Sequence, residues 1–280
     1  MPLLARVPST DGVAVAVHDL GGLGPTLLIS HATGFHGRCY APIAHALAES
    51  FHSIAFDHRG HGHTPQPWDV PISWERYGQD TLAVVRSLDG ALDPLVAFGH
   101  SMGGATLLMA AHADPARFVR LVLFEPIVFP PEGVRPSGTE NPMVVAARRR
   151  RTSFDSFDAA LANFTSKPPL SSWTAEALDE YVRHGFHEGE DGRVHLACPP
   201  EVEAGTFELG ATHRTWDLLP DIEVPVTVVA GRVEEMQPSR IAAEVADRLP
   251  AGRYVQLDEV DHFGPMSHPD LIAAQIRPAR

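Results

Sequence analysis

The sequence predicts an α/β fold: a mostly parallel sheet with helices on both faces and a helical insertion near its middle. Three observations predict it. Short apolar runs alternate with helix-length segments, the pattern of parallel strands joined by crossover helices. One run, 95–98, leads through the pentapeptide Gly99-His100-Ser101-Met102-Gly103 straight into an apolar helical pattern. The alternation then lapses between about 130 and 215, where helical patterns and Pro-rich joints replace strands. Composition agrees: 280 residues, 44% hydrophobic and 20% charged, suffice to bury a full core and are too apolar for disorder.

In chain order, residues 13–17 and 26–30 read as the first two strands. With no helix between them, they read as an antiparallel edge. Residues 53–56, 95–98, 121–124, 226–230 and 254–257 read as further strands, each a short run closed by a polar or turn residue. Helical patterns at 41–49, 74–88, 102–112, 239–249 and 269–276 lie between and after them. Within the insertion, 142–151, 154–164 and 174–186 read as helices, divided by Lys167-Pro168-Pro169 and Cys198-Pro199-Pro200. No buried strand is expected there. The expected division is a core of residues 1–129 and 216–280 with a helical cap at 130–215. The cap would lie over the C-terminal ends of the strands, where open α/β sheets bind ligands.

Charge and cysteine content narrow the function. A net charge of −13 argues against nucleic acid and anionic membrane surfaces as partners. The N-terminal residues lack the basic-then-apolar pattern of a signal peptide, and no apolar stretch approaches the ~20 residues that span a bilayer. A cytoplasmic protein is expected. Two cysteines, Cys39 and Cys198, make no disulfide framework.

The pentapeptide carries the chemistry. A serine flanked at two places by glycine, on a strand-to-helix turn, is held in a strained backbone with its hydroxyl exposed. Its position at a helix N-terminus suits an anion. Ser101 is therefore the candidate nucleophile, and it needs a base. Among sixteen histidines, His262 follows the last strand and precedes the last helix, where a loop delivers an imidazole over the sheet edge. A carboxylate must orient that imidazole. Glu234, in the loop after 226–230, is the first choice. Glu125, which ends 121–124, is the alternative, followed by Glu235, Asp217 and Asp258.

An oxyanion needs two preorganised donors. The N–H of Met102, just after the nucleophile, is one. The main chain of Thr33, in the loop His31-Ala32-Thr33-Gly34-Phe35, is the other. His31 reads as a brace for that loop. The run Asp57-His58-Arg59-Gly60-His61-Gly62-His63 gathers three histidines, but no set of carboxylates or cysteines completes a metal site. It reads as a surface turn in which Asp57 and Arg59 brace loops. Arg148 to Arg151 spread around a helix and read as a solvated face. Phe154, Phe157, Phe164, Trp173 and Phe186 either line a substrate pocket or pack the insertion.

Together these features resemble the α/β-hydrolase superfamily over nearly the whole chain. The resemblance rests on Gly99-His100-Ser101-Met102-Gly103-Gly104, on Asp57-His58-Arg59-Gly60-His61-Gly62, on the loop around His31, on Gly231 with Glu234 and Pro238 after it, and on His262-Phe263. It implies Ser101 as nucleophile, His262 as base, Glu234 as acid, and Thr33 and Met102 as oxyanion donors. The chain departs from the family pattern in having Glu rather than Asp at 234, Ala32 after His31, and Asp261 before His262. The implied activity is hydrolysis of a small ester, lactone or thioester through an acyl-enzyme, without metal or organic cofactor. Acyl transfer or cyclisation by the same triad, carbon–carbon hydrolysis, and non-catalytic ligand binding are the rival readings.

Overall fold

The computed structural model describes residues 3–88, 94–131, 141–235 and 237–277. Strands β1 (Leu3–Pro8), β2 (Ala14–Gly22), β3 (Thr26–Ser30), β4 (His52–Phe56), β5 (Leu95–His100) and β6 (Phe118–Phe124) precede the insertion. Three short strands lie within it: β7 (Ser153–Phe154), β8 (Phe186–Glu188) and β9 (Val194–Leu196). The strands β10 (Val226–Ala230) and β11 (Gly252–Gln256) follow. The main sheet has the order β1-β2-β4-β3-β5-β6-β10-β11. Its strands run parallel from β4 to β11, while β2 is antiparallel to both β1 and β4. The two strands expected to pair as an antiparallel edge do not pair: β2 lies between β1 and β4, the edge is formed by β1 and β2, and β3 lies inside the sheet, parallel to β4 and β5.

The inner parallel strands, β3, β5, β6 and β10, are largely buried on both faces, whereas the edge strand β11 is mostly exposed. Successive side chains point to opposite sides, so Leu28, Ala97, Leu121 and Val228 join one apolar core while Leu27, Ile29, Phe98 and Val122 join another. The first core is closed by α2 (Trp74–Ser87), α3 (Met102–Ala113) and α9 (Ala242–Arg248). The second is closed by α1 (Ala41–Ala46) and α11 (Pro269–Ile276).

The insertion contains α4 (Pro142–Arg148), α5 (Phe157–Thr165), α6 (Ala175–Gly185) and α7 (Pro200–Glu208), with residues 132–140 outside the described part. Phe154, expected to open a helix, lies in a strand instead, because β7 pairs with β9 in a small antiparallel sheet. Strands of two or three residues carry no readable period. Phe154, Phe164 and Phe186 meet with ring centroids 5.6–6.0 Å apart, so these rings pack the insertion itself. Short helices α8 (Thr215–Leu218) and α10 (Gly264–Ser267) complete the chain. No described helix is long and apolar enough to cross a membrane.

The turn at 57–64 ties the sheet to its surroundings. Arg59 is fully buried and binds both carboxylate oxygens of Asp80 at 2.7 Å, with Asp11 beyond at 2.8 Å. Asp57, also buried, accepts from the N–H groups of Gly37 and His63 and lies 2.8 Å from Nε2 of His18. His18, Asp57 and His63 are the one set of three metal-capable groups found among the described residues, and these same hydrogen bonds already engage the Asp57 carboxylate. Cys39 and Cys198 are free and buried, and burial pushes both thiols up in pKa.

Candidate active site

The turn after β5 has the geometry its glycines require. Ser101 sits at φ 55°, ψ −115°, in the strained left-handed half of the map. A Cβ on Gly103 would lie 2.1 Å from the carbonyl oxygen of Ser30, and one on Gly99 2.7 Å from that of Gly103. No side chain fits either place. The end of β6 fixes the strained residue: Ser101 N–H donates to Phe124 O at 2.9 Å, and Ile127 N–H to Ser101 O at 3.1 Å. Met102 opens α3, so its N–H has no partner in the helix. Among the described residues neither that group nor the N–H of Thr33 meets a protein acceptor. Met102, Thr33 and Ser101 are all buried.

His262 follows the turn after β11, as expected from its place in the sequence. Its Nδ1 lies 2.6 Å from Oε2 of Glu125. Glu125 is the first residue after β6, fully buried, at φ 46°. Its N–H donates to Val229 O at 2.9 Å, and its Oε1 accepts from Gly231 N–H at 2.9 Å. The carboxylate is therefore held at both oxygens.

The first-choice acid is elsewhere. Glu234 is 43% exposed and pairs with Arg232 at 3.3 Å. The loop after β10 still serves the imidazole, but through its backbone: Gly231 N–H holds Glu125, and Arg232 N–H donates to Val260 O at 2.7 Å. A Cβ on Gly231 would stand 2.5 Å from that same Val260 oxygen, so the two loops touch too closely for a side chain. Of the other candidates, Glu235, Asp217 and Asp258 are exposed. Asp217 pairs with Arg214 and Asp258 accepts from Gln256. Asp261 does not engage the imidazole; its Oδ1 accepts from Phe263 N–H and shapes the turn.

Two residues of this site have a role that the sequence does not reveal. Tyr40 Oη lies 2.8 Å from Nδ1 of His100 and accepts from Ala32 N–H at 3.1 Å. Nε2 of His100 lies 2.9 Å from the carbonyl oxygen of His262. Their partners come from three distant segments, which only the folded chain joins.

The loop 31–35 rests on neutral imidazoles. His31 accepts from His58 N–H at Nε2 and donates from Nδ1 to Ala32 O. Burial, and then the nearby His61, lower its pKa to about 3. The loop braces as expected of His31. Above it, Phe35 meets Trp173 (5.0 Å), Tyr181 (6.0 Å) and Phe263 (6.4 Å between centroids). Trp173 thus packs directly on the 31–35 loop, while Phe164 reaches it only through Tyr181, 5.6 Å away between centroids. The arginine run is also divided. Arg148 is on the surface with Glu201 and Glu208, but Arg150 turns inward to Glu203 and Tyr181. Glu203 in turn abuts Gly34, where a Cβ would approach its Oε1 to 2.5 Å. The insertion therefore rests directly on the candidate oxyanion loop.

Residues 24–263 match the family described as serine aminopeptidase, S33. Over 256 residues the chain is 25% identical to a pimeloyl-(acyl-carrier protein) methyl ester esterase of Legionella pneumophila strain Corby, spanning 90% of this chain and 94% of that protein. Among solved structures, E-2-(acetamidomethylene)succinate hydrolase is similar at TM-score 0.77 and 22% identity over 98% of both chains. A thioesterase domain from the curacin biosynthetic pathway is similar at TM-score 0.78 and 18% identity over 99% of both chains. At these identities the structural likeness is one of fold.

Proposed function

The chain belongs to the serine aminopeptidase, S33 family and is a hydrolase of the α/β-hydrolase fold, and on that premise we propose that it cleaves a small carboxylic ester through a Ser101–His262–Glu125 triad. The observation that carries this reading is the 2.6 Å contact of His262 Nδ1 with the buried Glu125 carboxylate. A neutral imidazole whose Nδ1–H donates a hydrogen bond to a carboxylate keeps a bare Nε2, the state a general base needs.

In the proposed reaction Ser101 Oγ attacks the acyl carbon as His262 Nε2 takes its proton. Glu125 stabilises the imidazolium without itself taking the proton. The N–H groups of Met102 and Thr33 hold the oxyanion. His262 then returns the proton to the leaving alcohol. Water, deprotonated by the same imidazole, releases the acid from Ser101. The insertion acts as a cap. The rings of Phe35, Trp173, Tyr181 and Phe263 pack on one another over the oxyanion loop, which favours a short acyl group.

A series of p-nitrophenyl esters of rising chain length tests this reading. The expected result is highest kcat/KM for acetate or propionate and a steep fall by octanoate. Equal rates along the series contradict the short acyl site. Product exclusively as a new ester when an alcohol acceptor is present, with no free acid, contradicts hydrolysis in favour of acyl transfer.

A further inference from the structure

Tyr40 and His100 lie outside the proposed triad, yet they touch three segments that carry its parts. Their hydrogen bonds have only one consistent direction. His100 is fully buried; burial first, and the neighbouring His262 second, hold its pKa well below the usual histidine value. It is neutral, with one N–H and one lone pair. Its Nε2 faces the carbonyl oxygen of His262 at 2.9 Å, which can only accept, so the proton is on Nε2. Nδ1 is then an acceptor, and the Tyr40 hydroxyl 2.8 Å away donates to it. The phenol oxygen accepts from Ala32 N–H at 3.1 Å. Burial raises the pKa of Tyr40 well above the usual phenol value, so the hydroxyl keeps its proton. The chain runs from Ala32 N–H to Tyr40 O–H to His100 Nδ1, and from His100 Nε2–H to the carbonyl of His262.

Each end falls beside a proposed catalytic group. Ala32 precedes Thr33, His100 precedes Ser101, and the carbonyl belongs to His262 itself. His262 is thereby held at its carbonyl by His100 and at its ring by Glu125. The rings of His100 and His262 are 4.9 Å apart between centroids, so a charged His100 would oppose the imidazolium that forms on His262.

We propose that Tyr40 is a positioning residue for catalysis, acting through a neutral His100 to fix the oxyanion loop and His262 in one register. This rests on the Ser101–His262 reading above. Tyr40→Phe removes the hydroxyl and leaves the ring. His100→Gln keeps an amide donor for the His262 carbonyl and loses Tyr40. Tyr77 gives a control: its buried hydroxyl bonds Thr206 at 2.8 Å, whose own hydroxyl donates to Val202 O, so the bond removed in Tyr77→Phe involves none of the proposed catalytic groups.

The test is steady-state hydrolysis of p-nitrophenyl acetate, with thermal unfolding measured alongside. Tyr40→Phe is expected to lower kcat roughly 10- to 100-fold with KM within about twofold, because ground-state binding is untouched. Tyr77→Phe is expected to lower Tm comparably and keep kcat. The double variant Tyr40→Phe/His100→Gln should be no slower than the slower single variant, as members of one chain act as a unit. Wild-type kcat in folded Tyr40→Phe, or losses that multiply in the double variant, overturn the proposal. Labelling by a fluorophosphonate separates the two readings. If the wild type is not labelled at Ser101, the triad reading fails. If wild type and Tyr40→Phe are labelled equally fast, only the positioning role fails.

Discussion

Oε2 of Glu125 lies 2.6 Å from Nδ1 of His262, while Oε1 of the same carboxylate accepts from Gly231 N–H at 2.9 Å. Glu125, the proposed acid, directly follows β6, and the loop after β10 supplies backbone support through Gly231. Glu125 and Ser101 are both non-glycine residues at positive φ, each at the C-terminal end of an adjacent parallel strand. Strain at two neighbouring strand ends marks the site more sharply than either residue does alone.

Replacing Ser101 by Ala removes the proposed nucleophile and leaves the turn. Turnover of p-nitrophenyl acetate should fall by about 10⁴ or more, with the far-UV circular dichroism unchanged. A fluorophosphonate should label the wild type and not the variant. Labelling of Ser101→Ala at a wild-type rate would place the nucleophile elsewhere.

Gly231→Ala tests the support of the acid. The added Cβ would stand 2.5 Å from the backbone oxygen of Val260, so the loop must move away from both Glu125 and the His262 segment. The expected loss is roughly 10- to 100-fold in kcat, with Tm lower by about 5 °C. Wild-type activity in this variant would mean that the Gly231 contact does not matter.

Much of this arrangement is readable from the sequence, for a physical reason. The inner parallel strands β3, β5, β6 and β10 are largely buried on both faces and give mostly apolar runs, and Ser101 and His262 sit at punctuated strand ends. β1 was not readable: of Leu3–Pro8 only Val7 is buried, so the edge strand lacks a pattern. The acid is ambiguous because Glu234 and Glu125 both follow strands. One signal separates them. Glu125 directly follows the all-buried Leu121–Phe124 stretch, whereas Glu234 stands four residues beyond Ala230 among polar neighbours. Tyr40 and His100 were silent because their partners lie 60 and 162 residues away.

Stability should fall early in acid. Burial, the leading cause in each case, lowers the pKa of His31 to about 3 and of His36 and His213 to about 4. It likewise lowers those of His58, His61 and His100. These groups are neutral when folded, and below ~6.5 the unfolded chain binds protons that the folded chain does not. Their contribution is therefore complete above that pH and is lost as pH falls from it towards 3–4. Each removes up to about 1.4 kcal/mol of stability per pH unit of acidification. Several together exhaust a typical stability of about 5–15 kcal/mol within one or two units. Tryptophan fluorescence should report unfolding near pH 5, with uptake of several protons. A Tm unchanged down to pH 4 would contradict the neutral imidazoles.

The identity of the acid is the central claim, and kcat of Glu125→Gln set against that of Glu234→Gln tests it most directly. Glutamine keeps the shape and removes the charge that orients the imidazole and stabilises its protonated form. The geometry predicts a loss of about 10³–10⁴ for Glu125→Gln and a value within about twofold of wild type for Glu234→Gln. A large loss in Glu234→Gln with Glu125→Gln near wild type would assign the acid to Glu234 instead.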